Sequence, residues 1–304
     1  MKKLRQMQPG LALAGICGLF GKTRQAYYEA GHSERSQLAE QAVIVTLVEE
    51  LRVNMPRLGT RKLFHELKEP LAKHGIEIGR DRLFDLLAGL GMLVRRRKRR
   101  ARTTFSDHPM RKYPNLVKGF VPDTAEQLWV SDITYIAVGE GFSYLSLITD
   151  AYSRMIVGYF LSTNLKVDGC VAALTMALET RKNPERKLTH HSDRGFQYCW
   201  PTYINLLNAN SIAISMTQTG DPKDNAQAER VNGILKTEFG LKKRFADHEQ
   251  AKVAVAKSVA VYNNQRPHLS CDYLKPAQAH LLSGLLKKHW KTYYRKAGKE
   301  VQPP

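Results

Sequence analysis

The sequence has few cysteines, and none stands in a metal-binding pattern. Its 304 residues include only four, scattered as Cys17, Cys170, Cys199 and Cys271. Zinc modules need closely spaced cysteines or cysteine and histidine pairs, and no Cys-x-x-Cys spacing occurs. We therefore predict no zinc module, and we expect reduced, mostly buried thiols in a cytosolic protein.

Apolar runs long enough to span a membrane are also missing. The run at residues 11–20 follows several cations and superficially resembles a secretory signal. However, a Pro-Gly pair stands at its start, glycines interrupt it, and no clean small-residue cleavage site precedes the next polar residues. We instead predict a helix, a turn at residues 18–21 and a second short helix through residues 26–28, which together form a small helix-turn-helix.

Acidic residues are in deficit. Asp and Glu total 28 against 47 Lys and Arg, which gives a net charge of +19 and a pI near 9.8. The net charge is +13 over residues 1–118, −3 over residues 119–240 and +9 over residues 241–304. A merely soluble basic protein would explain the sign but not this segregation. Basic arms around a slightly acidic centre favour a polyanionic partner, with DNA held by the arms and cations held by the centre.

The densest positive charge lies in residues 95–102, where seven of eight side chains are cationic. Such a block repels itself and resists packing, so it predicts a linker or arm. Contact with DNA phosphates would release counterions, and a solvated linker without contacts is the alternative. The candidate DNA-binding residues here are Arg95, Arg96, Arg97, Lys98, Arg99 and Arg100.

Between these features, apolar positions recur at helical spacing. Residues 36–53 predict one helix, and a two-helix unit follows, with a turn at residues 75–79 and a stop at Gly91. The unit fits either a DNA-binding helix-turn-helix or a simple helical hairpin. Its cations favour DNA, and the candidate contacts are Arg61, Lys62, Arg80 and Arg82.

The centre alternates strand and helix patterns. Three β-rich runs joined by turns predict an antiparallel meander at residues 128–138, 144–150 and 155–161. Helix and strand patterns then alternate, with a helix at 167–180, a strand at 188–191, a helix at 201–208 and a strand at 212–216. Strands interleaved with helices on a mixed sheet indicate α/β architecture.

Three carboxylates in this centre point to a divalent-metal site. Asp132 lies inside the first strand, Asp193 directly follows the strand at 188–191, and Glu229 comes after a further 35 residues. A charge inside an apolar strand is costly unless a cation binds it, and Mg²⁺ or Mn²⁺ prefer oxygen ligands. For one aspartate, hydrogen bonds or an arginine would be the simpler explanation; three acids in this arrangement favour a metal.

Glu229 is predicted to lie in the first turns of a helix. Asp224, followed three residues later by Gln227, is a variant capping box. Lys236 falls seven residues beyond Glu229 on the same face, and small or polar residues lie between them. This face suits a metal site beside a phosphate backbone, and an ordinary solvated helix face is the alternative.

Three other polar residues are left out of the metal set. Asp150 follows the second strand, where an aspartate bonds the backbone of its own turn. His190 and His191 precede Asp193, but histidine ligation suits zinc better than magnesium, and packing or support of the site explains them equally well.

Five ordered motifs resemble the DDE integrase-core transposases of bacterial insertion sequences, in the retroviral-integrase superfamily, and most closely their OrfB type. The motifs are residues 129–136, 144–158, 191–198, 220–236 and 262–268. The resemblance covers nearly the whole chain. It implies a ribonuclease-H-like core with a mixed sheet, preceded by small all-α helix-turn-helix modules. It also implies that Asp132, Asp193 and Glu229 bind two Mg²⁺ or Mn²⁺ ions, and that Lys236 matches the family's basic residue two turns after the glutamate.

The resemblance further implies a transposase that binds terminal inverted repeats, cuts DNA strands and joins them to target DNA. A non-catalytic DNA-binding regulator and a ribonuclease-H-like nuclease without joining activity are the alternatives. The implied partners are transposon ends, target DNA and further copies of the chain in a synaptic complex. OrfB-type proteins are often fused by frameshifting to an upstream OrfA-type helix-turn-helix partner, and the sequence is compatible with action alone or with that partner. The implied location is the bacterial cytoplasm at the nucleoid, with no membrane partner.

Together these patterns predict five segments. They are a helical region with a helix-turn-helix (1–55), a second helix-turn-helix-like unit (56–94), a basic linker (95–118), the integrase catalytic core (119–280) and a basic aromatic tail (281–304). The tail alternates cations with aromatic residues, which can grip phosphates and stack on bases, or remain a disordered solubilising end.

Overall fold

A computed structural model describes residues 1–94, 109–218 and 225–289 of the chain. The chain divides into two compact units, of which the first comprises Met1–Val53 and Gly59–Val94. The second comprises Asn54–Leu58 and the described residues after 108. The basic run at residues 95–100, most of the predicted linker and most of the predicted tail lie outside the described residues. The five-segment division stays a prediction.

The first unit is helical. Its helices are α1 (Lys2–Met7), α2 (Leu13–Leu19), α3 (Arg24–Asn54), α4 (Thr60–Lys73) and α5 (Arg80–Gly89). The order of α2, a turn at Gly21 and α3 agrees with the prediction, but the expected short second helix is wrong, because α3 continues for 31 residues. Gly31 costs the helix only about 1 kcal/mol, and the sequence has no proline in this stretch to end it.

The predicted two-helix unit is confirmed by α4 and α5. Gly75 and Gly91 follow the two helices with φ of +66° and +67°, the left-handed conformation that ends helices at glycine. Each helix buries one stripe of leucines, namely Leu63, Leu67 and Leu71 in α4 and Leu83 and Leu87 in α5.

The second unit is built on a five-stranded sheet in the order β3-β2-β1-β4-β5. The strands are β1 (Leu128–Val138), β2 (Gly141–Asp150), β3 (Ile156–Ser162), β4 (Thr189–Ser192) and β5 (Ala213–Met216). The first three strands pair antiparallel, whereas β4 is parallel to β1 and β5 is parallel to β4. The predicted meander and mixed sheet are confirmed, and this order is the ribonuclease-H-like arrangement.

Helices cover both faces of the sheet. They are α6 (Val167–Glu179), α7 (Phe196–Cys199), α8 (Pro201–Ala209), α9 (Ala226–Glu238), α10 (His248–Asn264) and α11 (Pro276–Ala279). From β1, Trp129 packs into an apolar cluster with α6 and α8, and Ile136 packs into a second cluster with α9 and α10. Because side chains alternate along a strand, the even-numbered residues of β1 face α9 and α10.

The turn after β2 is organised by Asp150, which is fully buried. Its carboxylate accepts hydrogen bonds from the backbone N–H groups of Tyr152 at 3.1 Å, Ser153 at 2.8 Å and Glu126 at 2.8 Å. These bonds confirm that Asp150 serves the backbone of its turn.

All four cysteines are buried free thiols, as predicted. Within the described ranges, no helix is both long and apolar enough to cross a membrane.

Candidate active site

Asp132 and Asp193 are brought together by the register of two parallel strands. β1 pairs with β4 so that Val130 lies opposite His191. Two residues further along, Asp132 therefore lies level with Asp193, which directly follows β4. Residues at one level of neighbouring strands share a face, and the strands are about 4.8 Å apart. The register thus brings both carboxylates to the face covered by α9.

The proximity is visible in the electrostatics of Asp132. The pKa of Asp132 is raised to about 7, first by burial, then by the charge of Asp193 and, more weakly, by the charge of Glu229. Two hydrogen bonds to the carboxylate oppose this shift. A carboxylate that is desolvated beside a second carboxylate is stabilised in its charged form by a cation.

Both aspartates are held by hydrogen-bond donors. Asn232 on α9 donates from Nδ2 to Oδ2 of Asp132 at 2.7 Å, and the backbone N–H of Ile133 donates to Oδ1 at 2.9 Å. The N–H of Gly195 donates to Oδ1 of Asp193 at 3.0 Å. These bonds leave each carboxylate with a fixed orientation at the end of the β1–β4 pair.

Glu229 lies on the same side of the sheet but farther from the aspartates. It stands three residues before Asn232, on the same face of α9, and its side chain is exposed. In the part of the chain that the structure describes, no three His, Cys, Asp or Glu side chains converge closely enough to hold a metal ion. The structure therefore couples Asp132 with Asp193 directly and Glu229 at longer range.

The start of α9 is attached to β1. Asn225 precedes the helix, and its Nδ2 donates to the Ser131 carbonyl at 2.9 Å instead of capping α9. The predicted capping box involves Asp224, which lies outside the described residues. The Oδ1 atoms of Asn225 and Asn232 are buried and have no hydrogen-bond partner among the described residues. The Oδ1 of Asn232 is thus a polar oxygen next to the carboxylate that the same amide binds.

The candidate DNA-binding cations that the structure describes lie at the surface. Lys236 is half-buried on α9. In the first unit, Arg61, Arg80 and Arg82 are exposed and Lys62 is half-buried. Arg80 pairs with Asp81 at 2.8 Å and Arg82 pairs with Glu40 at 3.7 Å. The remaining candidates, residues 95–100, lie outside the described ranges.

Comparison with known proteins decides the family. Two integrase core domain models match, one over residues 122–222 and the other over residues 210–276. The transposase for insertion sequence element IS629 from Shigella sonnei is 31% identical, over 73% of this chain and 73% of its own length. The chain belongs to the integrase-core transposases of bacterial insertion sequences.

Other members of the family align over most of their length. The 31 kDa protein of insertion element IS600 from Shigella sonnei is 34% identical over 86% of this chain and 96% of its own. The transposase InsF of IS3A from Escherichia coli K12 is 27% identical over 90% and 96%. Membership confirms the resemblance drawn from the motifs and makes the chain an enzyme of the polynucleotidyl-transferase type.

Among solved structures, the catalytic core domain of HTLV-2 integrase in complex with magnesium covers 53% of this chain and 99% of its own. Its sequence identity is 14% and its TM-score is 0.42. Both figures are low, so the fold assignment rests on the sheet itself.

In this integrase core, His190 and His191 are buried and bonded to hydroxyl groups. Nε2 of His190 lies 2.6 Å from Oγ of Ser131 and 2.9 Å from the hydroxyl of Tyr203, and Nδ1 of His191 lies 2.8 Å from Oγ of Ser215. Burial, followed by the charge of His191, lowers the pKa of His190 to about 3. These contacts agree with packing or support of the site, the explanation that the sequence offered beside metal ligation.

The sequence did not assign a role to three residues that shape the site, namely Asn225, Asn232 and Gly195. Helical spacing placed Asn232 on the face of Glu229, but its bond to Asp132 crosses 100 residues of sequence. A Cβ atom at Gly195 would lie 2.9 Å from Oδ1 of Asp193. The approach of this carboxylate to the backbone depends on the local fold, which no spacing pattern reveals.

Proposed function

We propose that this transposase binds the terminal inverted repeats of a bacterial insertion sequence, cuts DNA strands there and joins them to target DNA. The reaction would depend on divalent metal held by Asp132, Asp193 and Glu229. The observation that carries the proposal is the pair Asp132 and Asp193, which the parallel register of β1 and β4 brings to one level. Burial, followed by the charge of Asp193, raises the pKa of Asp132 to about 7.

The donor set fits a hard cation. The buried carboxylate of Asp132, the half-buried carboxylate of Asp193 and the buried Oδ1 of Asn232 are all oxygen ligands, which Mg²⁺ and Mn²⁺ prefer. Glu229 on the neighbouring helix would supply the third carboxylate. When bound, two such ions would supply Lewis-acid stabilisation of the charge that develops on the reacting phosphate.

The protein's own groups would then keep the site in order. Asn232 and the Ile133 N–H orient Asp132, and the Gly195 N–H orients Asp193. Lys236 lies two helical turns beyond Glu229, where it would contact a DNA phosphate. No serine or tyrosine nucleophile is invoked, because the family's reaction needs no covalent protein–DNA intermediate.

The basic segments would bind the DNA. Phosphates of the transposon end or the target are proposed to contact the run at residues 95–100 and, in the first unit, Arg61, Lys62, Arg80 and Arg82. Pairing of two ends implies further copies of the chain in a synaptic complex at the nucleoid, and an OrfA-type partner would add a DNA-binding module.

The decisive experiment is cleavage and joining of a labelled duplex that carries the element's own end, with Mg²⁺ or Mn²⁺. The comparison is between the natural chain and Asp193→Asn, which removes one charge at nearly constant size. We expect nicked and joined products from the natural chain and a loss of at least about 1,000-fold in the variant. Asp168→Asn, at an exposed aspartate in the first turn of α6, is the matched control and keeps its activity.

The products separate the rival functions. Hydrolysis without joined products would indicate a ribonuclease-H-like nuclease. End binding that needs no metal, with no cleavage even after an OrfA-type partner is added, would indicate a non-catalytic regulator. Equal activity of the natural chain and Asp193→Asn would reject the proposed metal site.

A further inference from the structure

Residues 262–268, at the end of α10, form one of the sequence motifs but supply no proposed metal ligand. Their side chains instead contact β3 and α9. Nδ2 of Asn263 donates to the Ile156 carbonyl at 2.9 Å, and Oδ1 accepts from the Ile156 N–H at 2.9 Å. Ile156 begins the edge strand β3. Asn263 therefore attaches α10 to the sheet.

The same motif holds the carboxyl end of α9. Arg266 donates from Nε and Nη2 to the two carboxylate oxygens of Glu238 at 2.8 and 2.9 Å. The Arg266 side chain is only 2% exposed. Glu238 is the last residue of α9, where a negative charge is unfavourable against the helix dipole. The ion pair with Arg266 offsets this repulsion and joins the end of α9 to α10.

A second arginine holds the beginning of α9. Nη1 of Arg154 donates to Oε1 of Gln227, and its Nε donates to Oγ of Ser270 at 3.3 Å. Arg154 lies in the turn before β3 and has φ of +67°, a conformation that few residues other than glycine adopt. Gln227 is two residues from Glu229, so this contact lies within one turn of the proposed ligand.

A closed ring of hydrogen bonds fixes Arg154. The Tyr262 hydroxyl donates to the Arg154 carbonyl at 3.0 Å. Because this hydroxyl has one hydrogen, Nε2 of His268 must donate to the Tyr262 oxygen, at 2.9 Å, and Nδ1 of the same ring lies 3.4 Å from Oγ of Ser270. The Arg154 bond to Ser270 closes the ring. Tyr262 is fully buried, and this burial raises the pKa of its hydroxyl, which therefore keeps its proton.

Tyr262 also contacts the other arginine, since the guanidinium carbon of Arg266 lies 5.7 Å from the centre of its ring. We propose that Arg154, Tyr262 and Arg266 form an α9 clamp, a set of positioning residues that hold both ends of the helix. The clamp would fix Glu229 relative to Asp132 and Asp193. This inference rests on the proposed metal-binding role of Glu229.

The test weakens each end of the clamp separately. Glu238→Gln removes the charge that Arg266 binds but keeps the size and one oxygen acceptor, and Gln227→Ala removes the acceptor of Arg154. In the full chain, we expect the half-saturating Mg²⁺ concentration for strand joining to rise about 10-fold in each variant, as for residues that orient metal ligands. The Mg²⁺ concentration needed to raise the melting temperature of the DNA-free protein should rise in parallel.

The matched control is Glu249→Gln. Glu249 is an exposed glutamate on α10 that lies 3.9 Å from Lys252, and its replacement should leave the Mg²⁺ response unchanged. A double variant, Glu238→Gln with Arg266→Gln, should be no worse than the more impaired single variant, because the two side chains act as one contact.

Hydrogen exchange gives a local readout that needs no activity. Amides of α9 should exchange faster in the clamp variants, while those of α6, on the opposite face, keep their natural rate. If Glu238→Gln fails to fold, the half-buried Gln227 still provides the test.

Two results would overturn the clamp. The first is that both clamp variants respond to Mg²⁺ as the natural chain does, while Glu229→Gln abolishes the response. That result would reject the clamp and leave the proposed function intact. The other is a lower melting temperature with unchanged half-saturating Mg²⁺, which makes the contacts merely structural. A natural Mg²⁺ response in Glu229→Gln would reject the proposed function and the clamp together.

Discussion

Around the proposed metal ligands, small and neutral residues set the position of each charge. Asn232 holds Asp132, and the Gly195 N–H holds Asp193. Beneath them, His190 is 1% exposed and bonds two hydroxyl groups. Single substitutions at these positions should therefore separate effects on the chemistry from effects on stability.

Gly195→Ala should impair catalysis more than folding. The added Cβ would lie 2.9 Å from Oδ1 of Asp193, and that carboxylate can rotate away at little cost to the fold. We expect strand joining to fall about 10- to 100-fold, because small misplacements of reacting groups are costly, while the free energy of unfolding changes by less than about 1 kcal/mol. Joining assays and urea unfolding provide the measurements. Equal joining rates for the variant and the natural chain would contradict the prediction.

His190 should make the second unit less stable in acid. The unfolded chain binds a proton near the ordinary pKa of 6.5, whereas the folded chain binds it only near 3. Between these two pKa values the unfolded state binds more protons than the folded state. The free energy of unfolding therefore falls as the pH falls, by up to about 1.4 kcal/mol per pH unit. Relative to His190→Gln, the natural chain should lose about 2 kcal/mol between pH 7 and pH 5.

Tryptophan fluorescence during urea unfolding can measure this difference, since all three tryptophans lie after residue 128. His74→Gln, at an exposed histidine, is the control and should retain the natural pH dependence. The same slope in His190→Gln and in the natural chain would show that His190 is not the responsible group.

At the scale of elements, helices and sheet are joined by close backbone approach on one face and by polar contacts on the other. Gly158 of β3 lets α6 approach, because a Cβ there would lie 2.1 Å from the Ala173 carbonyl oxygen. On the other face, Asn225 ties the start of α9 to β1 and Arg266 ties its end to α10. The position of α9, which carries Glu229, is therefore set by polar side-chain contacts, whereas the position of α6 is set by close backbone approach.

Gly158→Ala should destabilise the second unit strongly. The obstructing atom belongs to the backbone of α6, and the methyl group of Ala177 is also only 2.9 Å away, so relief requires a shift of the helix. We expect a loss of about 1–3 kcal/mol in the free energy of unfolding. In Gly141→Ala, the added Cβ would have no atom within 4 Å, so the free energy of unfolding should change by less than about 0.5 kcal/mol. Equal effects of the two changes in urea unfolding would refute this account of the packing.

At the scale of the whole molecule, charge is divided by segment. The central segment, residues 119–240, has net charge −3 and includes the three proposed metal ligands, while the flanking segments have +13 and +9. A chain that binds both cations and DNA benefits from this separation, because basic residues next to the carboxylates would compete with the ions. Two relatives in this family align over 86% and 90% of this chain, so most of the flanking sequence is shared with them.

Binding of the transposon end should depend steeply on salt through residues 95–100. If six cations contact phosphates, affinity should fall about 1,000-fold between 50 and 200 mM salt. Replacing the six by glutamine should reduce the slope of log affinity against log salt by about 5. An all-lysine version keeps the charge and should keep the slope. Filter binding or fluorescence anisotropy measures the slopes, and an unchanged slope in the glutamine version would exclude this segment from the interface.

The sequence by itself determined the elements and their order. Strand β1 has the predicted bounds, the other predicted strands and helices of the core appear within a few residues, and the motifs identified the family, because local periodicity and turn residues act over short stretches. The sequence pattern did not reveal that α3 is one continuous helix, because the lone glycine within it is only a weak helix breaker. Only the tertiary structure decided which distant residues meet. The parallel register of β1 and β4 places Asp132 beside Asp193, and the packing of α10 aligns Tyr262 with two arginines. Register and helix docking are set by burial across the whole core, so no local pattern contains them.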